Sequence, residues 1–322
     1  ANIADSSSAC LRAPAAKAHS IGQFADNGTV ILTGNGTLMG DVQADLLITG
    51  GTHTLIGGVS VSKSLVVSGT ARLVLNGSSL NVSNSLTTSG SGTIEMTNVN
   101  DFLIVNGNAL FGGGSETGLL TAGQLWANGD FSQAGSSTAF AAGGTHLTVL
   151  ASDGTQNVTF ANPATSFFRD LRVDMATNMA LSTNVTVRGT LANSSCCATF
   201  SSATGNLLTV SGLSFAGSPS AFTNARLRYT DGVVGAATFD NVSFSGFATG
   251  ATFFDFNRTS GGPYNFTNLA FSGTLSTIGR YVTNTGTVPL TLTTPSPTST
   301  AVTTACGCAS WFTAGIGGII WP

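Results

Sequence analysis

Apolar and polar residues alternate in short runs along most of this chain, and one run returns at a near-constant interval. It occupies residues 42–50, 61–69 and 82–90, and it returns with more drift from Val105 and from Ala127. Measured between first residues, the spacing is 19, 21, 23 and 22 residues. Such a period is typical of a solenoid, in which each repeat packs on its neighbours.

Within each repeat, residues two apart share one side of a strand, as Leu80 and Val82 do. We therefore expect the first residues of the repeats to form one core ladder. The short strands are separated by corners, whereas antiparallel hairpins would need regular Asn-Gly turns, which occur only sporadically. The pattern predicts an all-β fold, a right-handed parallel β-helix with rungs of about 19 to 29 residues. The predicted ladder contains Val42, Val61, Val82 and Val105.

A second repeat family, rich in phenylalanine, follows further along the chain. Residues 239–246 match residues 266–273 at a spacing of 27, and residues 213–217 are a partial copy. This predicts a second ladder of Phe215, Phe244 and Phe271, in longer and wider rungs, since each ring buries more area than Val or Leu.

The two ends of the chain differ from its middle. Residues 1–28 show no strand alternation and are expected to form an irregular or short helical cap. The last residues are apolar and are expected either to cap the final rung or to contact another subunit. The predicted segments are a cap (1–28), an aliphatic solenoid (29–140), irregular rungs (141–200), a wider phenylalanine-lined solenoid (201–288) and a Pro/Thr-rich segment with a Cys/Trp apolar tail (289–322).

Composition narrows the choice of partners and location. Only 8% of residues are charged and the net charge is −3, with Lys and Arg scattered, so neither a nucleic-acid groove nor an anionic membrane surface is expected as a partner. There is no apolar run of 18 residues, so no membrane-spanning helix is expected. The low charge, the scarcity of Lys and the missing initiator Met favour an exported protein, extracellular or at the cell surface, with its signal peptide absent or removed. An excised fragment of a longer protein is the alternative reading of the missing Met.

Five cysteines are candidates for disulfides. They lack the C-x-x-C spacing of a zinc site, and their pairing cannot be derived from the sequence. Buried free thiols are the alternative. The cysteines are Cys10, Cys196, Cys197, Cys306 and Cys308.

The phrase L-x-V-x-[GN]-x-[LF]-x-x-[ST]-G, present in residues 80–90 and less perfectly in residues 103–110, resembles the rung repeat of secreted bacterial β-helix proteins, including adhesin and autotransporter passengers. Residues 155–191 resemble the strand phrases of large bacterial surface repeat proteins. The resemblance implies a fold and a location, and it brings no catalytic residue with it.

Candidate chemistry is sparse. Stacking the repeats places Asp45, Ser64, Ser85, Asn108 and Asp130 in one column. Only its two end members are acidic, so we interpret it as a polar corner ladder rather than as paired catalytic carboxylates.

The histidines and the glycine-rich run also favour structural roles. His53 and His146 each follow Gly-Gly-Thr, which indicates a turn before a strand, and neither can be grouped with His19. Residues 112–118 lack both the Lys of a phosphate loop and the repeated Asp of a calcium motif. The sequence therefore predicts no catalytic residue, metal or cofactor.

Three functions follow from these observations. The leading one is a non-enzymatic structural subunit that associates with copies of itself end to end into a filament or layer. An adhesin-type binding module for glycans or cells is the alternative. Its only candidate exposed aromatics are Trp126, Tyr229, Tyr264 and Tyr281, and the core can claim most of them. A polysaccharide lyase or hydrolase is the third. The residues expected at the self-association contact are Trp311, Phe312, Ile316, Ile319, Ile320 and Trp321, with Val30, Ile31 and Leu32 as the acceptor edge.

Overall fold

The structure is a computed structural model of the 322-residue chain. It describes residues 11–13, 17–20, 28–174, 177–193, 198–215, 220–232, 238–239, 242–246, 252–262, 264–272, 280–293, 312–314 and 319–320.

Every regular element in these described residues is a β-strand. The first sixteen are β1 (Leu11–Ala13), β2 (Lys17–Ser20), β3 (Thr29–Leu32), β4 (Gly36–Val42), β5 (Asp45–Ile48), β6 (Thr52–Val61), β7 (Leu65–Val67), β8 (Arg72–Val74), β9 (Ser79–Val82), β10 (Leu86–Ser89), β11 (Thr93–Glu95), β12 (Phe102–Val105), β13 (Ala109–Gly112), β14 (Gln124–Ala127), β15 (Phe131–Gln133) and β16 (Leu147–Leu150).

The remaining strands follow in chain order. They are β17 (Thr155–Phe160), β18 (Asp170–Val173), β19 (Asn178–Leu181), β20 (Val185–Asn193), β21 (Thr199–Ser201), β22 (Leu207–Phe215), β23 (Ser220–Thr223), β24 (Arg226–Thr230), β25 (Thr238–Phe239), β26 (Val242–Ser245), β27 (Thr252–Asn257), β28 (Tyr264–Thr267), β29 (Ala270–Phe271), β30 (Arg280–Asn284), β31 (Leu290–Thr293), β32 (Phe312–Ala314) and β33 (Ile319–Ile320).

The chain forms two compact units. The first consists of Ala1–Val149 and Phe160–Arg169, and the second of Leu150–Thr159 and Asp170–Pro322. In both, strands pair in parallel with the equivalent strand of the next turn, which is the pairing of a β-solenoid and confirms the predicted fold class.

Two sheets make up the first unit. One contains β1, β3, β5, β7, β10, β13 and β15. The other contains β2, β4, β6, β8, β9, β11, β12 and β14.

The aliphatic ladder lies in this unit as predicted. Val42 pairs with Val61, Val61 with Val82, Val82 with Val105, and Val105 with Ala127. All five residues are at most 1% exposed, and successive turns are about 4.8 Å apart. Rungs of different length therefore keep their strands in register, and the corners absorb the difference.

Aromatic rings fill the later part of the core of the first unit. Phe131 lies 5.7 Å from Phe111 and 4.8 Å from Phe140 between ring centroids, and Phe160 lies 5.1 Å from Phe168. Aromatic packing thus begins at Phe111, within the segment predicted to have an aliphatic core.

Three sheets make up the second unit. One contains β19, β21, β23, β26 and β29. The second contains β18, β20, β22, β24, β25, β27, β30 and β32, and the third contains β28, β31 and β33.

A stacked phenylalanine ladder runs through the first of these sheets. Phe200, Phe222, Phe244 and Phe271 pair in register, with centroids 4.5, 5.0 and 5.3 Å apart and rings within 18° of parallel. The prediction of Phe215 as a member is wrong, because Phe215 ends the long strand β22 and pairs with Phe239 in the second sheet.

The corner after Phe222 explains this error. Asn224 donates its N–H to the Ser245 carbonyl and has a φ of +53°, while Gly246 on the next rung has a φ of +97°. Asn tolerates the left-handed region better than most residues. Residues 221–224 are therefore a copy of residues 243–246 with Asn in place of Gly.

The ends of the described chain continue the solenoid. β1 pairs with β3 and β2 with β4, so the prediction of an irregular or helical cap is wrong for residues 11–13 and 17–20. At the other end, β31 begins directly after Pro289 and pairs with β28, a position that proline tolerates. Parallel pairing thus extends beyond residue 288, the predicted end of the solenoid.

Candidate functional site

The predicted polar column forms as expected. Backbone hydrogen bonds link the column from rung to rung. The backbone carbonyl of each member from Ser64 to Asp130 accepts the N–H of the residue that directly follows the column member on the preceding rung. Asp45 Oδ1 accepts the Ser64 N–H and Asn108 Oδ1 accepts the Asp130 N–H, both at 2.9 Å. Its two carboxylates, those of Asp45 and Asp130, lie four rungs apart, so they do not form an acid–base pair.

His53 and His146 sit at strand entries, after glycines of positive φ. Gly51 and Gly144 have φ values of +73° and +54°. The His53 ring is 3.2 Å from the Gly50 carbonyl, through Nε2, and the His146 Nδ1 is 2.9 Å from the Ala122 carbonyl. Both rings are fully buried. Within the described residues, no three His, Cys, Asp or Glu side chains come close enough together to hold a metal ion.

The glycine-rich run of residues 112–118 packs against the preceding rung. A Cβ at Gly113 would lie 2.0 Å from the Gly92 carbonyl oxygen, so only glycine fits there. The run also carries Glu116, which is fully buried and whose Oε1 accepts the Ile94 N–H at 2.9 Å. The Glu116 carboxyl therefore acts as the hydrogen-bond acceptor for a backbone N–H of β11, where a backbone carbonyl of a neighbouring strand would otherwise serve.

Burial dominates the electrostatics of Glu116. It raises the pKa of the carboxyl well above its usual range, against the smaller lowering effects of the Ile94 N–H and the charge of Arg72. Oε2 has no hydrogen-bond partner among the described residues. The geometry and the raised pKa fit a neutral carboxyl that completes the strand edge.

A buried arginine lies in the second unit, and no sequence pattern predicts it. Arg258 follows β27 and is fully buried. Its Nη1 donates to the carbonyls of Ser211 at 3.0 Å and Thr230 at 2.8 Å, and its Cζ lies 4.8 Å from the ring centroid of Tyr229 and 5.2 Å from that of Tyr264. Carbonyl and ring contacts of this kind offset part of the cost of burying a cation.

Asp231 supplies the counter-charge for Arg258. Its Oδ1 is 3.6 Å from Arg258 Nε. Partial burial acts to raise the pKa of Asp231, but hydrogen bonds from the Thr259 hydroxyl and N–H and from Ser260, together with the Arg258 charge, lower it below the ordinary value. These contacts tie the corner after β27 to the corner after β24.

All three tyrosines are core residues. Tyr229, Tyr264 and Tyr281 are 1%, 5% and 0% exposed, and burial raises the pKa of Tyr229 and of Tyr281 to about 12. The core thus claims most of the four candidate aromatics, as expected, and the three tyrosines are excluded as exposed binding residues. Of that group only Trp126 is partly exposed.

The residues predicted for self-association fall at strands near the two chain ends. Phe312 lies in β32, and Ile319 and Ile320 form β33, which pair with β30 and β31 respectively. Trp311, Ile316 and Trp321 lie outside the described residues, as do all five cysteines.

Val30, Ile31 and Leu32 do not form an open edge. They belong to β3, which pairs with β1 on one side and β5 on the other, so their prediction as an acceptor edge is wrong. Among the described strands, those with a single described neighbour at the N-terminal end of the first unit are β1 and β2. At the C-terminal end of the second unit, β32 and β33 are in the same position.

Comparisons with family models, curated proteins and solved structures find no match for this chain. Within its described part, no helix of the length and apolarity needed to cross a membrane is present.

Proposed function

We propose that this chain is a non-enzymatic structural subunit, exported to the cell surface or beyond, that stacks end to end with copies of itself. The observation that supports it best is the pair of terminal strand edges. β1 and β2 in the first unit, and β32 and β33 in the second, each pair with one described neighbour.

A strand with one neighbour leaves a row of N–H and C=O groups without sheet partners, and such an edge is a template for pairing with another chain. A parallel solenoid presents edges of the same kind at its first and last rungs. Contact between two different edges is heterologous and does not close, so it grows filaments rather than dimers.

The side chains support a structural role. The Asp45 carboxylate accepts a backbone N–H, the Asp130 carboxylate lies four rungs away from it, Glu116 completes a strand edge, and Arg258 is enclosed by tyrosines and carbonyls. Asp45, Glu116 and Arg258 therefore stabilise the solenoid, which supports a structural role over acid–base chemistry.

Electron microscopy of the full chain tests the proposal. We expect negatively stained filaments or sheets whose length grows with protein concentration, and sedimentation velocity should show a matching broad distribution. Isolated particles of a single size at every concentration would contradict it.

Proline substitutions in the terminal strands sharpen this test. In a parallel strand, successive N–H groups face alternate neighbours, so of Arg12→Pro and Ala13→Pro one removes an N–H that faces β3 and the other an N–H that faces the open side. We expect the variant that loses the N–H facing the open side to abolish assembly, while the melting temperature of the monomer stays unchanged. Phe312→Pro and Thr313→Pro give the same comparison in β32.

A matched control is Val99→Pro, placed at a residue that is 74% exposed and lies outside every strand. It should assemble like the unmodified chain. Equal assembly of all the proline variants would show that the strand edges do not mediate association.

A further inference from the structure

The outward face of the second sheet in the first unit carries a cluster that the proposed function does not use. On β9, β12 and β14, the inward residues are at most 1% exposed. The outward residues form two columns in register, Ser79–Phe102–Gln124 and Asn81–Ile104–Trp126. Phe102, Ile104 and Trp126 are partly exposed there.

Two aromatic rings in this cluster are held in place. The Phe102 and Trp126 centroids are 6.0 Å apart at 68°, an edge-to-face arrangement. Trp126 Nε1 donates to Gln124 Oε1 at 3.1 Å, which fixes the orientation of the indole. The rings therefore form a preorganised apolar surface. A ligand that binds there would lose little free energy to ordering these two side chains.

A ladder of asparagine amides runs beside the rings over the same three rungs. Asn106 Nδ2 donates to Asn81 Oδ1 at 3.2 Å, and Asn128 Nδ2 donates to Asn106 Oδ1 at 2.9 Å. Each carboxamide NH₂ carries two N–H donors and the ladder uses one of them, so Asn106 and Asn128 each retain a second donor.

The cluster carries no charge. The six outward residues of β9, β12 and β14 are Ser, Asn, Phe, Ile, Gln and Trp, and the two further amides beside them, those of Asn106 and Asn128, are neutral. A ligand that suits this surface presents apolar C–H faces to the rings and hydroxyl groups to the amides, without phosphate or carboxylate groups. Pyranose sugars combine these two features.

The repeat of the surface matches a polymer. Successive rungs are about 4.8 Å apart, which is comparable to the length of one sugar residue in an extended chain. Asn81, Asn106 and Asn128 offer an amide on each of three rungs, and the two rings lie on the last two of these.

We propose that this face of β9, β12 and β14 binds an uncharged linear glycan, which runs along the stacking direction with one hexose per rung. The site is independent of end-to-end assembly, because none of its three strands is terminal. β9 pairs with β6 and β12, β12 also pairs with β14, and β14 lies between β12 and β16.

Tryptophan fluorescence tests the proposal on the full chain. The chain has three tryptophans, so the double variant Trp311→Phe/Trp321→Phe leaves Trp126 as the only one. We would titrate it with hexaoses of glucose and mannose in α and β linkage, and with hexagalacturonic acid as the charged comparator. We expect an uncharged hexaose to shift the Trp126 emission and to bind more tightly than its disaccharide.

Variants at the site locate the binding. By calorimetry, Trp126→Ala should weaken binding of the hexaose about tenfold or more, and Asn106→Ala about threefold. Val99→Ala, at an exposed apolar residue outside the cluster, is the matched control and should leave affinity unchanged. If Trp126→Ala fails to fold by circular dichroism, Phe102→Ala and Asn106→Ala decide the question.

Three results would overturn the proposal. They are no binding of any uncharged hexaose at about 5 mM, affinity within twofold of the unmodified chain for the site variants, and binding of hexagalacturonic acid alone.

Discussion

The first unit has a core column of aliphatic side chains, and the second has a core column of phenylalanines. In the first, Val61, Val82 and Val105 sit above one another on rungs of 21 and 23 residues. In the second, Phe222 and Phe244 stack 5.0 Å apart with their rings 18° from parallel. Both columns stabilise the packing of one rung on the next. Each rung buries little apolar surface by itself and gains most of its stability from its neighbours.

The difference lies in how much each residue contributes. A stacked ring buries more area than Val and adds a geometric preference for the rung above and below. The phenylalanine column should therefore concentrate stability in a few residues, whereas the valine column distributes it. The second unit also encloses Arg258, which its aromatic neighbours Tyr229 and Tyr264 contact through their ring faces.

The largest expected effect tests this contrast directly. Phe222→Ala removes a fully buried ring stacked on both sides and should destabilise the chain by about 4 kcal/mol. Val82→Ala is the matched change in the valine column, where Ala127 already occupies the same column, and should cost about 2 kcal/mol.

Chemical denaturation followed by circular dichroism, with hydrogen exchange to locate the loss, measures both variants. A loss for Val82→Ala equal to or above that of Phe222→Ala would contradict the idea that the aromatic column concentrates stability.

A second prediction concerns Glu116, the buried acid of the first unit. Glu116→Ala leaves the Ile94 N–H without its acceptor and should cost about 2 kcal/mol. Because burial raises the pKa of Glu116 in the folded chain, its protonated form stabilises the fold fully below the unfolded pKa of about 4.3. That contribution is lost as pH rises through the higher folded pKa.

Denaturation midpoints measured across this pH range check the sign. The variant Glu116→Gln keeps the acceptor and cannot ionise, so it should lose less stability than the unmodified chain as pH rises. Identical pH profiles for the two proteins would show that Glu116 is not the titrating group.

The smallest expected effect lies at the corners. Asn224 holds a φ of +53° and its Nδ2 donates to the Ser202 carbonyl at 2.8 Å. Asn224→Ala loses that hydrogen bond and places a Cβ that favours other backbone conformations at a left-handed position, and should cost about 1 to 2 kcal/mol. Asn224→Gly also loses the bond but is unstrained, so its thermal midpoint should lie between those of Asn224→Ala and the unmodified chain. A midpoint for Asn224→Gly below that of Asn224→Ala would contradict this.

The regular parts of the solenoid were predictable because a parallel ladder copies itself. Spacing alone placed Val42, Val61, Val82 and Val105 in one column, and the same alignment predicted the polar corner ladder. Register is harder to derive where a corner changes residue type. Because Asn224 stands where the next rung has Gly246, the match between residues 221–224 and 243–246 is weak in the sequence, and the repeat predicts Phe215 rather than Phe222 as the ladder member.

The buried charges and the site on the outward face could not be predicted for a different reason. Nothing in the sequence distinguishes Glu116 and Arg258 from exposed polar residues. Their burial depends on packing against other rungs: the hydrogen-bond partner of Glu116 lies 22 residues away in the sequence, and the nearer carbonyl partner of Arg258 lies 28 residues away. Likewise, Phe102 and Trp126 are 24 positions apart, and the strand register is what brings their rings together.

Strands that stay in register while rung length varies have a practical consequence. The corners between strands accommodate the differences in rung length. Gly118 lies in one of them, between β13 and β14, with a φ of +76°, and a Cβ at that position would meet nothing within 4 Å. A peptide spliced in beside Gly118 would therefore project into solvent without disturbing the ladders, which makes this corner suitable for displaying an epitope or an affinity tag on a rigid support.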